Sequence, residues 1–132
     1  MKLEELFEKK TSKTAWVILF TLNKLILGKR SPSMKNSNQW NFFGGHVDEG
    51  ESAVEAAVRE LQEEAQLKIN VSELKKIAEI GDATYFSLKV ESGAASTTPE
   101  VSKVKEFKLT DLPDNLHSKT QNFFDKLENL LQ

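Results

Sequence analysis

The chain has 132 residues, 39% apolar and 29% charged, with a formal net charge of −2. That length suits one domain burying roughly two-thirds of its unfolded surface, and the composition excludes a disordered chain. The near-neutral balance excludes a general nucleic-acid coater, and the lack of cysteine excludes a disulfide scaffold, a thiolate metal site and a cysteine nucleophile.

No linker, repeat or low-complexity tract divides the chain, so residues 1–132 are expected to form a single domain. The longest apolar run, Ala15 to Phe20, is too short to span a bilayer, so no membrane partner is expected. Glu4, Glu5 and Glu8 interrupt the first turns and speak against a secretory signal. A cytoplasmic protein is the expectation. The mean charge hides a split. Residues 48–64 hold seven acids and one base, a net of −6, which leaves +4 on the rest.

In chain order, Met1 to Lys10 has the apolar spacing of a short amphipathic helix through Leu3, Leu6 and Phe7. Thr14 to Leu22, rich in β-branched and aromatic residues, predicts a buried strand. Asn23-Lys24 predicts a turn, and Leu25 to Leu27 a returning strand. Gly28 to Gln39, polar and containing Pro32, predicts a loop. Trp40 to Phe43 is a brief aromatic strand running into Gly44-Gly45, a pair that reads as a turn. Ser52 and Glu55 then have capping-box spacing, and Ala53, Val54, Ala57, Val58 and Leu61 make one buried helical stripe. Strands are predicted over Lys75 to Ile80, Ala83 to Val90 and Val101 to Leu109. A terminal helix over His117 to Leu131 would bury Phe123, Phe124, Leu127, Leu130 and Leu131. Strands and helices alternating in this way predict an α/β or α+β sandwich.

The chemistry concentrates in the capped helix. Glu60, Glu63 and Glu64 fall at i, i+3 and i+4, so they share a face and repel one another. A hard divalent cation with oxygen ligands, Mg²⁺ above all, relieves that repulsion. A solvated acidic face is the bland alternative. An apolar opposite face, the preceding Gly-Gly pair and Arg59 beside Glu60 favour the cation. Glycines of this kind let a backbone approach a metal or phosphate closely.

Residues 45–67 resemble the Nudix box, Gly-x5-Glu-x7-Arg-Glu-U-x-Glu-Glu-x-Gly-U with U apolar. Gly45, Glu51, Arg59, Glu60, Leu61, Glu63, Glu64 and Leu67 match, and only the last glycine departs, as Gln66. That departure bears on how the helix ends. Phe43 likewise stands where many family members have proline. The resemblance implies a Nudix-type α/β/α sandwich with a mixed central sheet, a catalytic helix over about 52–66 and a C-terminal helix over about 117–131. It also implies a MutT-like hydrolase that cleaves a pyrophosphate linkage in a nucleoside diphosphate joined to another moiety. The substrate would be a nucleoside triphosphate, a dinucleoside polyphosphate, a nucleotide sugar or a capped RNA 5′ end. Glu60, Glu63, Glu64 and the Gly45 carbonyl would ligate Mg²⁺, with Mn²⁺ as a substitute. Glu51 and Arg59 would pair and orient the acids, and Glu60 or Glu63 would take a proton from the attacking water. A regulatory Nudix module that binds a nucleotide without cleaving it is the alternative; such a module is expected to have lost box acids.

Outside the box, Glu100 precedes the last strand, where some members hold a further metal-binding or base glutamate; Glu91 and Glu106 compete for that place. Lys24, Lys29, Arg30 and Lys35 border the 28–39 loop and could meet substrate phosphates, with surface solvation as the plain alternative. Trp40 could stack a nucleobase or belong to the core. Tyr85, 18 residues after Leu67, resembles a mark of dinucleoside polyphosphate hydrolases, whereas strand alternation alone would put it on the outer face. His46 reads as a surface residue and His117 as the start of the terminal helix. No long apolar stripe is left over once the core is assigned, which leaves the oligomeric state open.

Overall fold

The computed structural model describes residues 10–33 and 37–131, with side chains for 11–33 and 37–127. Of the helix expected over Met1 to Lys10, residues 1–9 lie outside the described residues and Lys10 is strand instead; Lys35 and the side chains of Leu130 and Leu131 also lie outside them. Strand β1 (Lys10–Phe20) is the hub. It pairs in parallel with β6 (Ala83–Lys89), and antiparallel with both β2 (Leu25–Arg30) and β4 (Phe43–Asp48). Beyond these, β5 (Lys75–Ile80) pairs with β6, while β3 (Trp40–Asn41) and β7 (Val101–Phe107) both pair with β2. The result is one mixed seven-stranded sheet.

Both faces of that sheet are covered, which explains the continuous apolar run of β1. Ala15, Val17 and Leu19 point to one side, against Ala56, Ala57, Leu61 and Ala65 of helix α1 (Ala53–Ala65). Trp16 and Ile18 point to the other, where Phe123 and Phe124 of helix α2 (Ser118–Leu131) pack. The α/β/α sandwich implied by the box is therefore the architecture observed. Helix α1 starts as the sequence predicts. Ser52 Oγ accepts from the Glu55 amide at 3.2 Å, and Glu55 Oε1 accepts from the Ser52 amide at 2.9 Å.

Several expectations are corrected by long-range pairing. Strand β2 continues to Arg30, so the loop starts at Ser31, because Gly28 and Lys29 are paired with Asn41 and Trp40 on one side and Val104 and Lys103 on the other. Gly44-Gly45 is not a turn but part of β4, opposite Trp16 and Ala15. The turn comes later, at Glu49-Gly50, where Gly50 has φ 83°. Tyr85 does not face outward. It is 0% exposed in the α2-side core, and its hydroxyl donates to the Lys119 carbonyl at 2.6 Å. Burial pushes that hydroxyl's pKa up to about 12. Leu127 is 41% exposed instead of buried, and among the described residues α2 packs on this core through Phe123 and Phe124.

Gly44 is held most tightly of all. Its φ is +155°, and a Cβ there would stand 2.1 Å from the Ala15 carbonyl oxygen and 2.8 Å from the Trp16 backbone. Gly44→Ala is expected to destabilise the protein by about 3 kcal/mol or more in urea denaturation, since the obstacle is backbone in the central strand pair. A variant as stable as the parent would contradict the close β1–β4 approach.

Candidate active site

Two elements build the site: β4, which brings Gly44, Gly45 and His46, and α1, whose outer face carries the acids. Arg59 lies between them. Its Nε and Nη2 donate to the two Glu51 oxygens, each at 3.0 Å, a fork on a carboxylate. Nη1 donates to Glu60 Oε1 at 2.9 Å and to Glu63 Oε2 at 3.4 Å. Nη2 also reaches the His46 carbonyl at 3.0 Å and Asp48 at 3.5 Å. One guanidinium thus touches four carboxylates. Its hydrogen bond holds the Glu51 carboxyl below the usual glutamate range, and the same bond raises the Arg59 pKa.

The other acids are pressed inward. Glu64 is buried, and its Oε1 accepts from the Gly44 amide at 2.7 Å. Burial first, then the charge of Glu60, push its pKa up to about 8. Burial likewise raises Glu60, against the opposing pull of Arg59. The Glu60 carboxyl lies against Gly45, where a Cβ would sit 3.0 Å from Oε1. Glycine at that position leaves the backbone open to the carboxylate. Glu100 joins from the turn before β7, close enough to disfavour charge on both Glu60 and Glu64. Arg30, at the end of β2, acts on Glu64 in the opposite sense.

Gly45, Glu51, Arg59, Glu60, Glu63, Glu64 and Glu100 are therefore brought together. Glu91 and Glu106 are not with them; Glu106 accepts instead from Ser92 Oγ at 2.6 Å and the Gly93 amide at 3.2 Å. Arg30 borders the cluster. Trp40 is half-buried, its ring edge-on to Phe107 at 5.0 Å with Lys29 Nζ 5.8 Å from its centroid. Tyr85, buried under α2, has no surface to offer a substrate. His46 is exposed as expected, yet its carbonyl holds Arg59. His117 precedes α2, and its Nδ1 accepts from the Lys119 amide at 3.2 Å. The Gly44 amide and the His46 carbonyl are contributions that side-chain spacing does not announce. Only the Gly-Gly pair hinted at backbone participation.

Among the described residues, no group of three His, Asp or Glu side chains is already arranged to hold a metal ion. Arg59 draws Glu60 and Glu63 toward itself, while Gly44 holds Glu64. The donor chemistry nevertheless fits a hard divalent ion, being all oxygen and carrying more negative charge than Arg59 balances. A glutamate as strongly buried as Glu64, among other acids, is the kind of group that a cation would return to its charged form.

A model of the NUDIX domain matches residues 10–127. The MutT protein of Methanosarcina mazei Go1 superposes with a TM-score of 0.71 at 19% identity, covering 92% of this chain and 99% of that one. A MutT NUDIX hydrolase from Burkholderia pseudomallei gives 0.68 at 22% identity, over 85% and 94% of the two chains. The Ap4A hydrolase of C. elegans, solved as a binary complex, gives 0.63 at 20% identity, over 90% and 98%. The structural likenesses establish the fold. The family match, over most of the length, establishes more: the chain belongs to the Nudix family and is an enzyme of its pyrophosphohydrolase class. Members of that family generally use a divalent metal and take nucleotide-like pyrophosphate substrates. No described helix is long and apolar enough to cross a membrane.

Glu64 makes stability depend on pH. Its folded pKa of about 8 exceeds the ordinary 4.5, so the stability it contributes is complete below about 4.5 and lost as pH rises through about 8. Metal-free protein is expected to lose melting temperature between about pH 5 and pH 8.5. Glu64→Gln should flatten that decline, because a neutral amide can still accept from Gly44. An equally steep decline in the variant would locate the titrating group elsewhere.

Proposed function

We propose that this protein is a Mg²⁺-dependent hydrolase cleaving the pyrophosphate linkage of a nucleoside diphosphate joined to another group. The observation that carries this reading is the Arg59 guanidinium holding Glu51 and Glu60 beside the buried Glu64, with every acid of the box present. Glu60, Glu63, Glu64, Glu100 and the Gly45 carbonyl would hold the ion. When bound, a divalent ion neutralises phosphate charge and lowers the pKa of the attacking water.

The chain's own residues supply the rest. Glu51, gripping Arg59 with both oxygens, fixes the plane of the guanidinium and so the side chains of Glu60 and Glu63. Either Glu60 or Glu63 takes the proton from the attacking water; Glu63 is the more exposed, at 49% against 13% for the side chains. Arg30 adds positive charge beside Glu64, where a polyphosphate would lie, and Trp40 at the start of β3 offers a partly open aromatic ring for a nucleobase. Nucleoside triphosphates, dinucleoside polyphosphates, nucleotide sugars and capped RNA 5′ ends are the substrate classes that share this chemistry. With Tyr85 buried, nothing singles out dinucleoside polyphosphates among them. A cytoplasmic location suits such substrates.

The test is product release from a panel of these four classes with Mg²⁺, comparing the parent with Glu63→Gln. At least one class is expected to turn over, with the variant slower by about a hundredfold or more, a transition-state loss above ~2.7 kcal/mol. Equal rates would remove Glu63 from the site. Tight nucleotide binding without turnover at any divalent ion would point instead to a regulatory module.

A further inference from the structure

Gln66 stands where the box carries glycine, and the backbone there is left-handed, with φ 55° and ψ 32°. Glycine adopts that conformation freely, whereas glutamine is strained in it. The side chain has a contact that glycine would lack: Nε2 donates to the Thr97 carbonyl at 2.6 Å. Two neighbouring bonds join the same segments. The Ser96 amide donates to the Ala65 carbonyl at 2.9 Å, and the Thr98 hydroxyl to the Glu64 carbonyl at 3.3 Å.

The segment fastened in this way is the one that ends in Glu100. On its far side it is tied to the end of β2, where Ser31 Oγ donates to the Pro99 carbonyl at 2.7 Å and the Ser31 amide to the Glu100 carbonyl at 2.9 Å. Between the two anchors the chain turns sharply. The Thr98 amide donates to the Val101 carbonyl at 3.0 Å, and the Val101 amide to the Thr98 carbonyl at 3.2 Å. The backbone at Glu100 is thereby held from both sides, and its carboxylate stands within electrostatic reach of Glu60 and Glu64.

We propose that Gln66 is a positioning residue: its side-chain amide fastens the 94–100 loop to the end of α1 and sets where the Glu100 carboxylate stands against Glu60 and Glu64. It touches no reacting atom and acts through Thr97. This inference rests on the reading above, that these carboxylates hold a divalent cation. Gln66 itself is exposed, so replacing it leaves the core intact.

The experiment compares Gln66→Gly, Glu100→Gln and the double variant. Amide hydrogen exchange is read on metal-free protein, and Mn²⁺ binding by calorimetry without substrate. Gln66→Gly is expected to melt at or above the parent temperature, because glycine suits the left-handed position. Exchange at Ser96 and Thr98 should nevertheless speed up by about three- to tenfold, and Mn²⁺ should bind more weakly by a similar factor. In the Glu100→Gln background the Gln66 change should weaken Mn²⁺ no further, since coupled residues are not additive. Unchanged exchange in Gln66→Gly would overturn the proposal. So would a loss of Mn²⁺ affinity that persists undiminished without Glu100, or Glu100→Gln binding like the parent while Gln66→Gly does not. Faster loop exchange in Gln66→Gly, with no Mn²⁺ binding even by the parent, would support the fastening and defeat the metal reading.

Discussion

The site is arranged around a single guanidinium that faces more negative charge than it can balance. Arg59 lies within 3.5 Å of Asp48, Glu51, Glu60 and Glu63. Exposed pairs of this kind contribute little individually, but the Glu51 fork is partly buried and uses both oxygens, which fixes geometry as well as energy. Once Arg59 is fixed, Glu60 and Glu63 have a direction. Glu64 and Glu100 add further carboxylates that Arg59 does not reach. The remaining charge deficit is what a divalent cation would fill, and on metal binding the sign of the site would invert toward phosphate.

The fold makes that concentration of charge tolerable. Helix α1 buries Ala56, Ala57, Leu61 and Ala65 against one face of the sheet, and that packing offsets the mutual repulsion of its acids. The Ser52–Glu55 box sets its start, and Gln66 in the left-handed conformation ends it. Strand β4 approaches so closely, through Gly44 and Gly45, that a backbone amide meets Glu64 and open backbone meets Glu60. Packing and chemistry use the same helix from opposite sides. On the far face α2 closes a second core, where the Phe42 ring meets Tyr85 and Phe123 edge-on and Thr120 Oγ1 accepts from the Phe42 amide at 3.0 Å.

What could be read from the sequence was local or motif-borne. The helix, its cap and the spacing of Glu60, Glu63 and Glu64 depend on neighbours within a turn or two, and β5, β6 and the start of β7 follow from short apolar alternation. The misreadings have a common physical cause, contacts between residues far apart in the chain. Gly28 and Lys29 look like loop until strands on both sides pair with them. Gly44-Gly45 looks like a turn until Ala15 and Trp16 lie opposite. Tyr85 looks outward-facing on a one-sided sheet, and only the docking of Phe123 and Phe124 makes that side a core. The bonds that tie Gln66 and Ser31 to the 94–100 loop span dozens of residues, so no local pattern could have announced them.

The most direct test of the charge deficit is the number of protons released when Mn²⁺ binds at pH 7, from calorimetry in buffers of different ionisation enthalpy. Glu64, with a pKa pushed up to about 8, is largely protonated in the metal-free protein at that pH. A cation that uses it as a ligand must displace its proton, so about one proton should be released per site filled, and Glu64→Gln should release markedly fewer. Binding by the parent without proton release would contradict the account.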